Sequence, residues 1–360
     1  MLYHIFYPLT KYFSFFNVAK YITFRGGCAF ITSFIVVMAL WKFTLQRLTK
    51  LKMVENIDMY GHIHLESLHG PKRGTPTMGG VLIIFSMCVS TLLWARWDTY
   101  FTWAILLVML ALGAVGLSDD LLKIKKGKGL SRRQKLISQS IIGLLLGAAL
   151  ILNQDFPTSW HFPFLKKIVF DLGYFYIFWV ILMIVATSNA VNFTDGLDGL
   201  AIGAVVINSL IFGLISYIVG HISFANYLFI PYIEGAGELT IFCFALTGAG
   251  LAFLWFNSYP AQVFMGDVGA LALGGVLGAT ALLIKQEFLL FISGGLFVIE
   301  AMSVILQIAS VRLRGKKLFR AAPLHHHFQI LGWDEPKIII RFWIISIICA
   351  VIALLTLKLR

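Results

Sequence analysis

The stretch YFTWAILLVMLALGAVGLSDD, residues 100–120, decides the fold. Positions 101–118 carry no charge, and the run ends on the pair Asp119-Asp120. A helix needs roughly 20 apolar residues to cross the hydrocarbon core of a bilayer, and strands of soluble sheets are far shorter. The segment therefore reads as a membrane span with two carboxylates where the chain leaves the hydrocarbon.

Working outward, similar runs recur along the chain. They predict ten spans, at about 22–45, 75–95, 101–118, 135–152, 171–191, 199–218, 238–256, 268–284, 288–309 and 338–357. The composition agrees. Of 360 residues, 59% are hydrophobic and 13% charged, too few to cover a soluble protein of this size. The expected fold is all-α: one integral-membrane domain, 1–360, built as a bundle of about ten transmembrane helices, with no internal repeat. An even number of spans puts both termini on one side. Cys28, Cys88, Cys243 and Cys349 all fall inside apolar runs without a CxxC pair, so they read as small core residues. No cleavable leader is expected, because no small-residue cleavage site follows the aromatic N-terminal stretch.

The net charge of +12 is distributed unevenly. One set of loops holds Arg47, Lys50, Lys52, Lys72 and Arg73, the run from Lys123 to Lys135, and Arg312 to Lys337. The other side holds Lys11, Lys20, Arg96, Lys166, Lys167, Lys285, Lys358 and Arg360. Cations collect in the cytosolic loops of membrane proteins. The first set is expected in the cytosol, with both termini periplasmic, and the charge does not call for a nucleic-acid partner.

The acids point to the chemistry. Asp119, Asp120, Asp195, Asp198 and Asp267 all fall at the predicted cytosolic ends of spans, from three different loops. Ionisable groups beside hydrocarbon are costly and mark candidate functional sites. Asp119 and Asp120 stand where a helix dipole is negative, so they need a cation: Mg²⁺ or a lysine such as Lys123, one turn later. In Asn192-Phe193-Thr194-Asp195-Gly196-Leu197-Asp198-Gly199, the glycines allow sharp turns that bring hard oxygen ligands near a phosphate. Asp198 is equally suited to cap the sixth helix. The loop from Asn257 to Asp267 has no Lys, Arg or Glu, so Asp267 reads as a lone carboxylate in a neutral turn, suited to a metal or to an N-cap. His325-His326-His327 stands in a basic loop, where hydrogen bonding to a diphosphate or sugar fits better than zinc. Gly70-Pro71-Lys72-Arg73-Gly74-Thr75-Pro76-Thr77-Met78-Gly79-Gly80 opens the second span and offers an anion site at a helix start. The Lys285–Glu287 hairpin reads as too short to matter. Glu300, inside the ninth span, is expected to face the bundle interior or a break in the helix, without an assigned role. The residues by themselves reach an interfacial enzyme or a transporter with carboxylates and Mg²⁺.

Taken together in order, Lys72-Arg73-Gly-Thr-Pro-Thr-Met-Gly-Gly, Asp119-Asp120, Asn192-Phe-Thr-Asp-Gly-Leu-Asp-Gly, Phe264-Met-Gly-Asp267 and Pro323-Leu-His-His-His-Phe resemble the phospho-N-acetylmuramoyl-pentapeptide-transferase family. The resemblance spans essentially the whole chain. It implies UDP-N-acetylmuramoyl-pentapeptide as donor and undecaprenyl phosphate as acceptor. The implied products are UMP and the diphospho-linked lipid called lipid I. It also implies Mg²⁺, a homodimer in the lipid of the bacterial inner membrane, and an active site facing the cytosol. By this resemblance Asp267 is the metal ligand, and Asp119 and Asp120 act beside the acceptor phosphate, with Asp119 the candidate base. Lys72, Lys123 and Lys135 would neutralise phosphate charge. Asn192, Asp195, Asp198 and Asn257 would hold the donor, and His325, His326 and His327 would contact its diphosphate or sugar. The competing expectations are a related transferase using UDP-N-acetylglucosamine and, in another class, an ion transporter using Glu300.

Overall fold

The computed structural model describes residues 1–51, 53, 74–153, 156–162 and 169–358. A short helix α1 (Leu2–Leu9) and a 3-10 turn (Ser14–Lys20) precede α2 (Ile22–Lys50). Then come α3 (Gly80–Trp94), α4 (Tyr100–Lys126) and α5 (Arg132–Leu152). A hairpin of β1 (Ser159–His161) and β2 (Val169–Asp171) follows, antiparallel, with Trp160 opposite Phe170. The remaining helices are α6 (Tyr176–Thr194), α7 (Leu200–Val219), α8 (Ile222–Leu228), α9 (Glu238–Asn257), α10 (Gly266–Leu283), α11 (Glu287–Ser293), α12 (Gly295–Arg314), α13 (Leu324–Ile330) and α14 (Glu335–Thr356). Among the described residues, nine helical segments are long and apolar enough to cross a membrane, and α3, at 15 residues, is a shorter apolar helix.

Three predicted boundaries differ for physical reasons. The second span was expected from residue 75, but α3 starts only at Gly80, because the backbone before it pairs elsewhere. Phe264 N–H donates to the Pro76 carbonyl, and Gly79 and Gly80 N–H donate to those of Phe264 and Met265. The third span was expected to stop at 118, yet α4 continues to Lys126 and stops at Gly127, whose φ of 68° ends the helix. Asp119, Asp120 and Lys123 therefore stand on a helix, not in a loop. The ninth span is interrupted at Gly294, between α11 and α12.

Helix α10 lies at the centre. Every residue from Val268 to Leu283 is buried. It packs against α4 and α6, while α9 packs against α2 and α7. Small residues make that central position possible, since helices approach closely only where side chains are short. At Gly116 of α4, an added Cβ would overlap the Asp267 carbonyl and Val268 Cα. Successive long helices run antiparallel. The ends of α4, α6, α9 and α12 and the starts of α5, α7, α10 and α14 thus meet on one face.

The opposite face is locked by buried charge. Arg25 on α2 makes a bidentate pair with Glu238 on α9, at 2.7 and 2.8 Å. The Lys285–Glu287 turn, expected to be inert, is fully buried. Lys285 Nζ lies 3.2 Å from Glu287 Oε1, which also accepts the Tyr176 hydroxyl at 2.8 Å. Burial pushes the Lys285 ammonium below its ordinary lysine pKa, with Glu287 opposing that shift.

Candidate active site

Of the five acids predicted from separate loops, Asp119, Asp120 and Asp267 converge. Asp119 and Asp120 stand on the last turns of α4, where the helix dipole disfavours them. Compensation is local and tertiary. Asp119 Oδ1 accepts the Leu130 N–H at 2.6 Å. Asp119 Oδ2 lies 2.8 Å from Lys123 Nζ, one turn along the same helix. A capping box between Ser131 and Gln134 starts α5 and sets Lys135 on its first turn, 3.2 Å from Asp119 Oδ2.

Asp267 lies within the first turn of α10, not before it, so it is not an N-cap, and the dipole there favours its charge. Gly266 supplies the required turn with φ 74°, and Asp120 Oδ2 occupies the space a side chain there would need. The same Oδ2 accepts the Val268 N–H at 3.1 Å, which ties α4 to the start of α10. Asp267 is not the isolated carboxylate its loop suggests. Its Oδ2 lies 2.6 Å from Lys135 Nζ and 2.9 Å from Lys123 Nζ. Its Oδ1 accepts Asn192 Nδ2 from the end of α6 at 2.7 Å.

One oxygen from each of Asp119, Asp120 and Asp267 falls within 4.8 Å of the others. The Lys123 ammonium lies 2.8, 3.6 and 2.9 Å from these three carboxylates. Three hard oxygen donors around one shared positive charge fit a divalent cation such as Mg²⁺. They also fit two lysines that turn outward when an anionic substrate arrives.

A second cluster adjoins the same loop. α13 buries His325 and His326, whose ring centroids are 4.2 Å apart. A Cβ on Gly196 would overlap His325 Nε2. The segment from Asn192 to Gly199 thus links the acid cluster to the histidines.

Comparison with known proteins agrees with this constellation. Residues 102–285, about half of the chain, match the model of Glycosyl transferase family 4. Residues 72–84 match phospho-N-acetylmuramoyl-pentapeptide-transferase signature 1. The phospho-N-acetylmuramoyl-pentapeptide-transferase of Desulfotalea psychrophila is 49% identical over 363 residues, covering all of both chains. The relatives of the same name from Citrifermentans bemidjiense and Geobacter sp. strain M21 are 49% and 50% identical, each over 362 residues and the full length of both chains. The chain belongs to the phospho-N-acetylmuramoyl-pentapeptide-transferase family.

Within this phospho-N-acetylmuramoyl-pentapeptide-transferase fold, the expected site residues separate into groups. Asp119, Asp120, Lys123, Lys135, Asn192 and Asp267 form one contact network. Asp195 is the half-buried C-cap of α6. Asp198 does not cap α7, whose N-cap is Gly199; its Oδ2 instead accepts the Ala261 N–H at 3.0 Å. Asn257 is likewise committed to backbone: Oδ1 accepts from Gly199 N–H and Nδ2 donates to the Val263 carbonyl. Both clamp the 192–199 and 257–266 loops together. His327 is engaged separately: its Nδ1 accepts the Arg320 N–H at 3.1 Å. Lys72 lies outside the described residues. Neither the Leu130 N–H contact nor the Asp120–Val268 tie is legible in the sequence, because both involve backbone groups. Glu300 was visible as the sole acid of its span, but its partners were not.

Proposed function

We propose that this chain transfers phospho-N-acetylmuramoyl-pentapeptide from its UDP carrier to undecaprenyl phosphate, releasing UMP and forming lipid I, the first membrane step of peptidoglycan synthesis. The observation that carries this reading is the Lys123 ammonium in contact with Asp119, Asp120 and Asp267. Both reacting partners are anionic. The task is therefore charge neutralisation and in-line positioning, more than covalent chemistry.

Asp267, with Asp119 and Asp120, would hold Mg²⁺, which when bound supplies electrostatic stabilisation of diphosphate charge. Lys123 and Lys135, released from the carboxylates, pair with phosphate oxygens. Asn192 orients Asp267 through its amide, and the buried His325–His326 face serves the donor. Asp119 has little to do as a base: its Oδ1 is held by the Leu130 N–H, and its Oδ2 holds Lys123 and Lys135 until substrate arrives. A phosphate monoester has a second pKa of roughly 6 and needs little help to lose its proton at neutral pH. Asp119 therefore acts by placing the two lysines. An aspartate that holds the metal and has Oδ1 fixed by Asn192 is poorly suited to be the nucleophile as well, which supports direct displacement over a covalent aspartyl intermediate. The site faces the cytosol in this reading, since the loops around it carry Lys125, Lys126, Lys128, Arg132 and Arg133.

The test is transfer of labelled donor to undecaprenyl phosphate by purified protein, with and without Mg²⁺, and with Asp267→Asn. The expected result is lipid product that requires Mg²⁺ and is lost in the variant. Product from UDP-N-acetylglucosamine and none from the muramoyl donor would overturn the substrate assignment. Full activity in a chelator would overturn the metal assignment.

A further inference from the structure

Glu300 has no part in the chemistry described above, yet its surroundings are specific. It is the one acid in α12, and its side chain is fully buried. A carboxylate in such a place is costly unless hydrogen-bonded. Its contacts run to the start of α13. Oε2 accepts the Leu324 N–H at 2.8 Å, Oε1 accepts the His325 N–H at 3.2 Å, and Oε2 lies 3.3 Å from His325 Nδ1. Pro323, the residue before α13, offers no capping side chain. Glu300 thus supplies from a neighbouring helix the acceptor that α13 lacks in its own sequence.

The His325 ring is fully buried, and neither ring nitrogen makes a hydrogen bond. Nδ1 faces Glu300. Nε2 faces Gly196, closely enough that a Cβ there would overlap it. His326 flanks the same point, its Nδ1 held 2.8 Å from Gln329 Oε1. A buried, unpartnered ring nitrogen aimed at the loop that carries Asn192 and Asp195 is poised for a polar group that arrives with substrate.

We propose that Glu300 is a positioning residue for the transfer reaction: it anchors α13 beneath His325, holds a proton on Nδ1, and aims Nε2 at a polar group of the UDP donor. The 3.3 Å separation suits an orienting contact that tightens when the site fills. Carboxylates that hold a histidine tautomer typically change activity by about 10- to 100-fold when removed, a magnitude taken from metal-bound histidines.

This inference rests on the reading that His325 serves the donor, and the experiment separates the two. Glu300→Gln, His325→Gln and the double variant are compared in the transfer assay, varying UDP-N-acetylmuramoyl-pentapeptide and undecaprenyl phosphate independently. Glu300→Gln is expected to lower kcat/KM for the donor by about 10- to 100-fold, leave the KM for the lipid acceptor unmoved, and add nothing in the His325→Gln background. Penalties that multiply in the double variant would make Glu300 a purely structural anchor and overturn the proposal. A His325→Gln variant with unchanged donor kinetics would overturn the reading beneath it. Independently of how the variants fold, ¹⁵N-histidine spectra of the unaltered protein, assigned with His325→Gln, are expected to show the proton on Nδ1. An unprotonated Nδ1 overturns the proposal.

Discussion

Replacing Asn192 separates a residue that acts through Asp267 from one that merely lines the site. The Asn192 amide donates to Asp267 Oδ1 at 2.7 Å, while the two lysines hold Oδ2. Asn192→Leu removes one hydrogen bond to a charged group, worth about 1.5–3 kcal/mol. If that bond is needed in the transition state, turnover falls roughly 10- to 100-fold, at about 1.4 kcal/mol per factor of ten. Asn192→Asp does more, because it sets a fourth carboxylate against Asp267. Two like charges about 4 Å apart repel by about 4 kcal/mol at an effective dielectric of 20, or on the order of a thousandfold in rate. Extra negative charge also draws cations, so this variant is expected to regain part of its activity as Mg²⁺ is raised, whereas Asn192→Leu is not. The assay is the initial rate of lipid product across a Mg²⁺ series at saturating donor and acceptor. Equal losses in the two variants at every Mg²⁺ concentration would refute the reasoning, as would a leucine variant with wild-type turnover.

Other consequences can be measured directly. Asp198→Ala removes the acceptor of the half-buried Ala261 N–H and is expected to destabilise the protein by about 1 kcal/mol, seen as a lower Tm, while Asp198→Asn keeps an acceptor and nearly normal donor KM; a large KM change in the asparagine variant would mean direct donor contact. Gly116→Val forces a side chain into the Asp267 backbone, so activity is expected to fall with a cost of about 1–3 kcal/mol in stability, and wild-type turnover would contradict the close α4–α10 approach. Glu287→Gln leaves the Lys285 ammonium without its buried counter-charge and is expected to cost about 3–5 kcal/mol, whereas Lys285→Met with Glu287→Leu costs less; thermal unfolding in detergent compares them, and the reverse order would refute the assignment of a buried pair.

The apolar runs fixed the membrane-helix class, because hydrocarbon leaves a spanning chain few ways to satisfy its backbone other than a helix. Motif order fixed the family, since Asp119, Asn192, Asp267 and His325 each stand in a distinctive local sequence. Local rules failed where partners come from afar. Asp267 looked solitary because its loop carries no cation, yet two lysines from α4 and α5 reach it. Asp198 and Asn257 were expected to hold the donor, and only the packed loops show that both engage backbone groups. Glu300 looked unexplained because its partners are backbone N–H groups more than twenty positions away. Sequence determines which chemistry is present and which segments must be helical, as both follow from composition and local spacing. Which charge meets which depends on how closely helices approach, and that is decided by small residues such as Gly116 acting across the bundle.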